Sequence, residues 1–302
     1  METAWKSIVS DGGDANREPA PGVLYLVGTP IGNRSDLSPR AKRVLSGVQT
    51  IACEDTRHSG LLLHQLGLRD VSAAPRLLSF HQHNQSRRTP ELLNALAAGE
   101  AVALVSDAGL PGIADPGQEL VAAVRAAGGM VVCVPGPCAL TTALVSSGLP
   151  CGRFCFEGFL PPRAGQRRAR LEELADDPRT LVFYEAPHRL LALLEDLLEV
   201  LGDRPLQVAR ELTKRHEQQV GPSVQACLDH FRRVAPLGEF TLVLGGAQRD
   251  RAPIWEESNL RAELQALIDD GLSRRDASRT LAERTGHSRR DLYALLHDLS
   301  SD

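Results

Sequence analysis

The residues best equipped for chemistry lie between Val102 and Gly136, VALVSDAGLPGIADPGQELVAAVRAAGGMVVCVPG, where two apolar runs each break into a loop rich in Gly, Pro and Asp. The runs VALVS and MVVCV have the length and β-branched content of buried parallel strands. Between them Asp115, Pro116 and Gln118 read as N-cap, first helical residue and capping box, and Gly128 reads as the helix end. In open α/β sheets ligands gather beyond the carboxyl ends of strands. Glycine there lets backbone approach the ligand, and a lone acid such as Asp107 can fix a hydroxyl or a cation. A ligand site at these two strand ends is the first expectation.

Other clusters are less specific. HQHN sets His81 and His83 at an i, i+2 spacing beside Asn84 with no third matched ligand, which points to hydrogen bonding rather than zinc. Arg163, Arg167, Arg168 and Arg170 form the densest basic run, readable as a phosphate grip or as a solvated helix face. The six cysteines, Cys53, Cys133, Cys138, Cys151, Cys155 and Cys227, contain no CxxC pair, and several sit inside apolar runs. They read as reduced, buried hydrophobes of a cytoplasmic protein.

These loops need elements to hold them, and the chain supplies an α/β rhythm. With 302 residues, 42% hydrophobic and 24% charged, it has the composition of a soluble globular protein with room for two ordinary domains, which excludes collagenous and broadly disordered classes. Residues 1–21 are polar, with neither a cationic start nor an apolar core, and read as a flexible arm rather than a signal peptide or membrane anchor. A first α/β domain spans 22–149. It runs through VLYLVG, a helix opened by Ser38 and Pro39 and closed by Gly47, TIACED, a helix through LLLHQLG, LLSF, and a helix started by Thr89 and Pro90. A second α/β domain spans 150–247. FCFEGFL, TLVFYEAP, PLQVAREL and EFTLVLGG are its strands, with helices at 167–175, 188–201 and 223–233. Residues 248–302 form a helical appendix. The net charge of −4 argues against coating nucleic acid by bulk electrostatics, so any such contact must be local.

Taken together, LYLVGTPIGNRSDLSPRA, ACEDTRHSGLLL, SFHQHN, LVSDAGLPGIADPG, VPGPCALTTAL, FCFEGFLP, FYEAPHRL and ARELTKRHE resemble the ribosomal RNA small-subunit methyltransferase I family, in order and spacing from Val23 to Gly246. The resemblance implies two α/β/α domains of the tetrapyrrole methylase type with S-adenosyl-L-methionine in the cleft between them. It implies 2′-O-methylation of a cytidine ribose in the decoding region of 16S ribosomal RNA, within the small ribosomal subunit, by a cytoplasmic homodimer. It also assigns residues. Pro30 in GTPIGN borders the cofactor, Asp107, Ala108, Gly109 and Leu110 contact it, and Ala139, Leu140 and Thr141 line its other side. Tyr184, with Leu212 and Thr241, closes over the adenosine.

Methyl transfer from a sulfonium depends on positioning and desolvation and needs no Lewis acid, so no metal is expected. A ribose hydroxyl is a poor nucleophile, and a base or a cation that steadies the alkoxide would assist it. Glu54, Asp55 and Arg57 follow one strand-like run and Arg210, Glu211 and Lys214 follow another, so both sets are expected to meet at the acceptor; interdomain ion pairs are the alternative. His81 and Asn84 are a second choice for RNA contact. Two other functions compete. A tetrapyrrole methyltransferase would share the cofactor loops, but aromatic residues are only 4% of this chain, poor lining for such a pocket. A non-catalytic nucleic-acid-binding protein would use the appendix, where nine arginines face eleven acidic residues.

Overall fold

Short β-branched runs bounded by turn residues become strands, and capped amphipathic runs become helices. The computed structural model describes residues 18–68, 74–248 and 257–296, which divide into a unit up to Gly246 and a second from Ala247. The amino-terminal half of the first unit is a five-stranded parallel sheet of β1 (Val23–Val27), β2 (Thr50–Cys53), β3 (Arg76–Ser79), β4 (Val102–Val105) and β5 (Met130–Val134), in the order β3-β2-β4-β1-β5. Helices α1 (Pro39–Gly47), α2 (Thr56–Gln65), α3 (Gln85–Ala97) and α4 (Gln118–Ala126) connect the strands. One apolar core gathers Tyr25, Leu45 and Ile51, and another gathers Leu24, Phe80, Leu92 and Leu120. Because every strand is parallel, the turns after β1, β4 and β5 leave the same edge of the sheet, where α/β proteins hold ligands.

Ser38 caps α1 as its sequence implies, accepting a hydrogen bond from the Ala41 N–H. Three expectations need correction. Helix α3 begins at Gln85, four residues before Thr89, and carries Pro90 inside it; Asn84 bonds back to His81 and Ser79, so the helix starts straight from the HQHN turn. Helix α4 starts at Gln118 after Gly117, at φ 146°, so neither Asp115 nor Gln118 caps it. A Cβ at residue 117 would sit 2.8 Å from the Leu104 side chain, which keeps the chain in this glycine-only shape until the helix starts. Strand β5 is an edge strand, and Cys133 on it is exposed; of the six cysteines only Cys53 and Cys227 are buried. Residues 1–17 of the expected arm lie outside the described residues. Its end is pinned, with Arg40 Nε donating to Glu18 at 2.7 Å and the Ala20 N–H to the Tyr25 hydroxyl.

Helix α5 (Ala139–Ser146) leads into the second half, a mixed sheet of β6 (Phe154–Phe159), β7 (Thr180–Glu185), β8 (Leu206–Arg210), β9 (Gln218–Val220) and β10 (Phe240–Leu244). Its order is β6-β7-β10-β8-β9, and only β6 and β7 run parallel. Strand β9 has three residues, QQV, too short and polar to read from sequence. Helices α6 (Ala164–Glu173), α7 (Pro187–Leu201) and α8 (Val224–Arg233) bury Leu171, Leu193, Leu197 and Phe231 against Phe183, Leu206 and Leu242. The other face of this sheet receives α5, which buries Leu140, Ala143 and Leu144 with Val182, Ala209 and Val243. The small residues of ALTTALVS thus bind the two halves together.

The second unit contains α9 (Glu257–Asp269), α10 (Arg274–Thr285) and α11 (Arg289–Leu295) around Leu260, Leu264, Leu281 and Leu292. Ser273 caps α10, and Gly286 ends it in the left-handed conformation. No helix among the described residues is long and apolar enough to cross a membrane.

Candidate functional site

The amino-terminal half offers strand ends. After β4 the chain turns through Asp107 and Gly109, at φ 89°, and a two-way backbone bridge ties Gly109 to Thr29 in the turn after β1, with N···O distances of 2.9 and 3.1 Å. The Thr29 hydroxyl adds a bond to the Ser106 carbonyl at 3.1 Å. Gly28 makes room for the third loop, since a Cβ there would lie 2.9 Å from Gly136 Cα. Three loops are therefore locked into one wall.

That wall is acidic. Asp107 accepts the Asp55 N–H at 3.1 Å and lies 3.2 Å from His58 Nδ1. Asp115, free of any capping role, lines the same cleft; burial and then the Glu54 carboxylate push its pKa up to about 6, against a bond from Ser106. Burial, and then Asp107, likewise raise the pKa of Glu54. Crowded carboxylates of this kind favour protonation or a cation.

The carboxyl-terminal half offers a sheet face. Phe159, Tyr184, Thr241 and Ala209 stand side by side in register on β6, β7, β10 and β8, and all four line the cleft. The Tyr184 hydroxyl accepts the Leu140 N–H at 3.0 Å, doing for the start of α5 what its N-cap Cys138 does not. Burial raises the phenol pKa well above its ordinary value. The two walls enclose about 350 Å³, within the range of small-molecule sites.

Of the residues expected at the cofactor, Asp107, Ala108, Gly109, Leu110, Ala139 and Tyr184 line this cleft, as do Leu212 and Thr241. Pro30 does not; its neighbour Ile31 does. Leu140 is buried behind the wall, and Thr141 is exposed on α5 with its hydroxyl turned to the Cys138 carbonyl. The expected acceptor residues stand outside the lining. Asp55 caps α2 through the Arg57 N–H and pairs with the Arg57 side chain, whose hydrogen bonds hold the carboxyl well below the usual range. Arg210 donates to the Leu237 carbonyl at 2.6 Å. Lys214 bridges Glu211 at 3.0 Å and Glu239 at 2.9 Å; burial works against its ammonium, but these bonds outweigh it and raise the pKa. Among the described residues no hydrogen bond or ion pair joins the 54–57 set to the 210–214 set. What joins the loops is the Asn33 N–H on the Thr213 hydroxyl at 3.0 Å, with Gly32 packed so that a Cβ would strike Lys214.

Most of the basic run is engaged in ion pairs within this half. Arg167 is buried against Asp196 at 2.6 Å, Arg168 shares Asp196 and reaches Glu199, and Arg170 binds Glu157; only Arg163 stays exposed without such a partner. Sequence reading missed Asp115 and Glu239 as lining residues, and Phe159, whose aromatic type inside a strand run was the only signal. HQHN forms a turn, and among the described residues no group of three or more His, Cys, Asp or Glu is placed to hold a metal.

The family model for Tetrapyrrole (Corrin/Porphyrin) Methylases matches residues 23–226. A relative from Synechocystis named ribosomal RNA small subunit methyltransferase I is 51% identical over 93% of this chain and 99% of its own. One of the same name from Escherichia coli O157:H7 is 45% identical over 90% and 93%. A third, from Thermotoga maritima, is 45% identical and is covered completely by 75% of this chain. Among solved structures, uroporphyrin-III-C-methyltransferase from Thermus thermophilus aligns with TM-score 0.51 at 27% identity over 74% of this chain and 94% of that one. The methyltransferase CobJ aligns with TM-score 0.55 at 21% identity over 74% and 94%, a likeness of fold. By the length and level of these matches, the chain belongs to the ribosomal RNA small subunit methyltransferase I family, on the tetrapyrrole methylase fold.

Proposed function

We propose that this protein binds S-adenosyl-L-methionine in the cleft and transfers its methyl group to the 2′-hydroxyl of a cytidine ribose in the decoding region of 16S ribosomal RNA, within the small ribosomal subunit. The observation that carries the reading is identity of 51% over nearly the whole chain to a protein named for small-subunit ribosomal RNA methylation. A tetrapyrrole acceptor is favoured by the broader family model and by solved structures at lower identity than that relative.

The cleft fits the cofactor. An acidic wall of Asp107 and Asp115 suits a ligand bearing a sulfonium and an ammonium, and the apolar face around Tyr184, Ala139 and Leu212 suits an adenosine. When bound, the cofactor supplies a methyl group on a positively charged sulfur. The protein's part is to exclude water and hold the acceptor, with backbone at Gly109 and Leu110 and the side of Ala139 shaping the walls. Pro30, Leu140 and Thr141 serve by fixing the loops behind that surface.

On the acceptor side, Glu54, Asp55 and Arg57 form one rim, where a carboxylate can serve as base. Arg210, Glu211 and Lys214 form the opposite rim through Glu239, which lines the cleft. Glu211 and Thr213, at φ 51° and 64°, hold a strained turn of the kind kept for function. The reading extends to a cytoplasmic homodimer, for which the half-exposed MVVCV edge of β5 is a suitable surface.

The test joins calorimetry to ribose-methylation mapping. Gly109→Val should weaken cofactor binding by about 100-fold and Asp107→Ala by about tenfold, through strain and lost charge pairing. Unchanged affinity in both would remove the site. Arg57→Ala and Lys214→Ala should slow methyl transfer to small subunits while sparing cofactor affinity. A loss of thermal stability alone would make these charges structural. A methyl found on a base, or on a tetrapyrrole in place of RNA, would overturn the reaction.

A further inference from the structure

The lip of the cleft carries an aromatic ring that the sheet is kinked to present. Strand β6 keeps parallel register with β7 from Phe154 to Phe156, then slips by one residue, so that Gly158 pairs with Phe183 and Phe159 with Tyr184. Glu157 is the extra residue. Strict alternation would put Phe159 on the face of Cys155, which packs against the core under α6 and α7, and of Glu157, whose carboxylate takes Arg170 of α6 at 2.8 Å. The slip, with Gly158 at φ 63°, moves Phe159 to the opposite face beside Phe156 and Tyr184. Bulges that re-aim a side chain are common beside active sites.

The re-aimed ring is not delivered to a core. Phe159 stays 55% exposed while lining the cleft. Tyr184 steadies it edge-on, with centroids 5.7 Å apart and planes at 61°, and Phe156 braces Tyr184 in turn at 4.9 Å. Its position is the outer end of the row that runs through Tyr184, Thr241 and Ala209, on the edge strand of the sheet. The inner members of that row are buried or half-buried and suit a small ligand held inside; the outer end is open to a polymer. An exposed, braced aromatic at such a place stacks on flat rings, and nucleobases bind aromatic side chains this way without regard to sequence.

We propose that Phe159 is the stacking platform for the base of the nucleotide whose ribose is methylated. The inference rests on the RNA reading above. Stacking the base on Phe159 leaves its ribose over the cleft mouth, toward the acidic wall and the methyl donor. Phe159 is thus a positioning residue, and its loss weakens the acceptor more than the cofactor.

The experiment measures methyl transfer to small ribosomal subunits from cells lacking this enzyme, with wild type, Phe159→Ala, Phe159→Leu and Phe159→Trp, alongside cofactor binding by calorimetry. Phe159→Ala and Phe159→Leu should each raise KM for the subunit by about tenfold or more with cofactor affinity unchanged, and Phe159→Trp should restore it. Leucine keeps apolar volume without a flat ring, so a normal KM for Phe159→Leu overturns the proposal. So does a loss of cofactor affinity in place of the KM effect, which would give the ring to the cofactor's adenine. A fall in kcat alone that tryptophan does not rescue would mark a structural brace for Tyr184 and also overturn it. Failure of the wild type to methylate the RNA at all would instead defeat the RNA reading, and this inference with it.

Discussion

The two halves of the larger unit present different charge to the cleft. In the amino-terminal half, Glu54, Asp107 and Asp115 crowd at the ends of parallel strands, and two of them carry raised pKa values. In the carboxyl-terminal half, charges neutralise one another: Arg167, Arg168, Asp196 and Glu199 in one network, Arg170 with Glu157 in another, Lys214 with Glu211 and Glu239 in a third. What that half turns to the cleft is mainly a sheet face of Phe159, Tyr184, Thr241 and Ala209. At the cleft one half brings Asp107, Asp115 and backbone, the other mainly shape and apolar surface, with Glu185 and Glu239 beside it. A ligand that is cationic at one end and aromatic at the other suits both.

The comparison breaks most visibly at Asp196. Its carboxylate is 3% exposed and serves two guanidiniums, so Asp196→Ala leaves Arg167 buried without its partner. The expected loss is about 3–5 kcal/mol, because an unpaired buried charge is costlier than the pair is favourable. Denaturant unfolding should show this, while folded variant keeps its affinity for RNA. If RNA affinity fell and stability did not, these arginines would be a phosphate grip and the two halves would share the charged work.

Tyr184→Phe makes a smaller change at the seam. It removes the hydroxyl that accepts the Leu140 N–H, and the helix start has no other side-chain cap. Stability should fall by about 1–2 kcal/mol, the usual worth of a cap, with little change in apolar contact. A neutral substitution would mean that α5 is held by its packing on Val182 and Val243 alone.

These residues also mark what could be read from sequence. The Asp107 to Leu110 loop and the cap at Ser38 were legible because turn chemistry and capping are local, set by residue types within a few positions. Asp115 was misread for the same reason: DPG carries a capping pattern, and only the Leu104 side chain, eleven or more residues away in the chain, shows why the helix must wait for Gly117. The arginine run could be read as a phosphate grip or as a solvated helix face because Asp196, the partner of Arg167 and Arg168, lies on α7, a tertiary contact that spacing does not encode. Phe159 was hidden by parity, since a one-residue slip reverses every face beyond it. Of the six charged residues at 54–57 and 210–214, Arg210 ends β8 and the other five follow a strand, yet that position does not fix where a long side chain turns.

The finest test of the comparison is the pH dependence of Asp115. Its pKa rises to about 6 from an ordinary 3.8, chiefly through burial and then through Glu54. A carboxyl that holds its proton more tightly when folded favours the fold below about pH 4, and that preference is lost as pH climbs toward 6. Asp115→Asn removes the penalty, so above pH 6 the variant should be more stable by about 1 kcal/mol, discounted for the group's partial exposure. Binding should move the other way. A cation in the cleft favours the ionised carboxylate, so wild-type affinity for S-adenosyl-L-methionine should rise several-fold between pH 5 and pH 7, roughly the span over which such a group ionises. Asp115→Asn should flatten that rise and bind more weakly at pH 7. Opposite signs for stability and affinity at one residue are what a wall kept acidic for its ligand requires. If wild-type affinity is level across this range, or the variant binds as well as wild type at pH 7, the crowded carboxylates do not serve the cofactor and the division of labour between the halves fails.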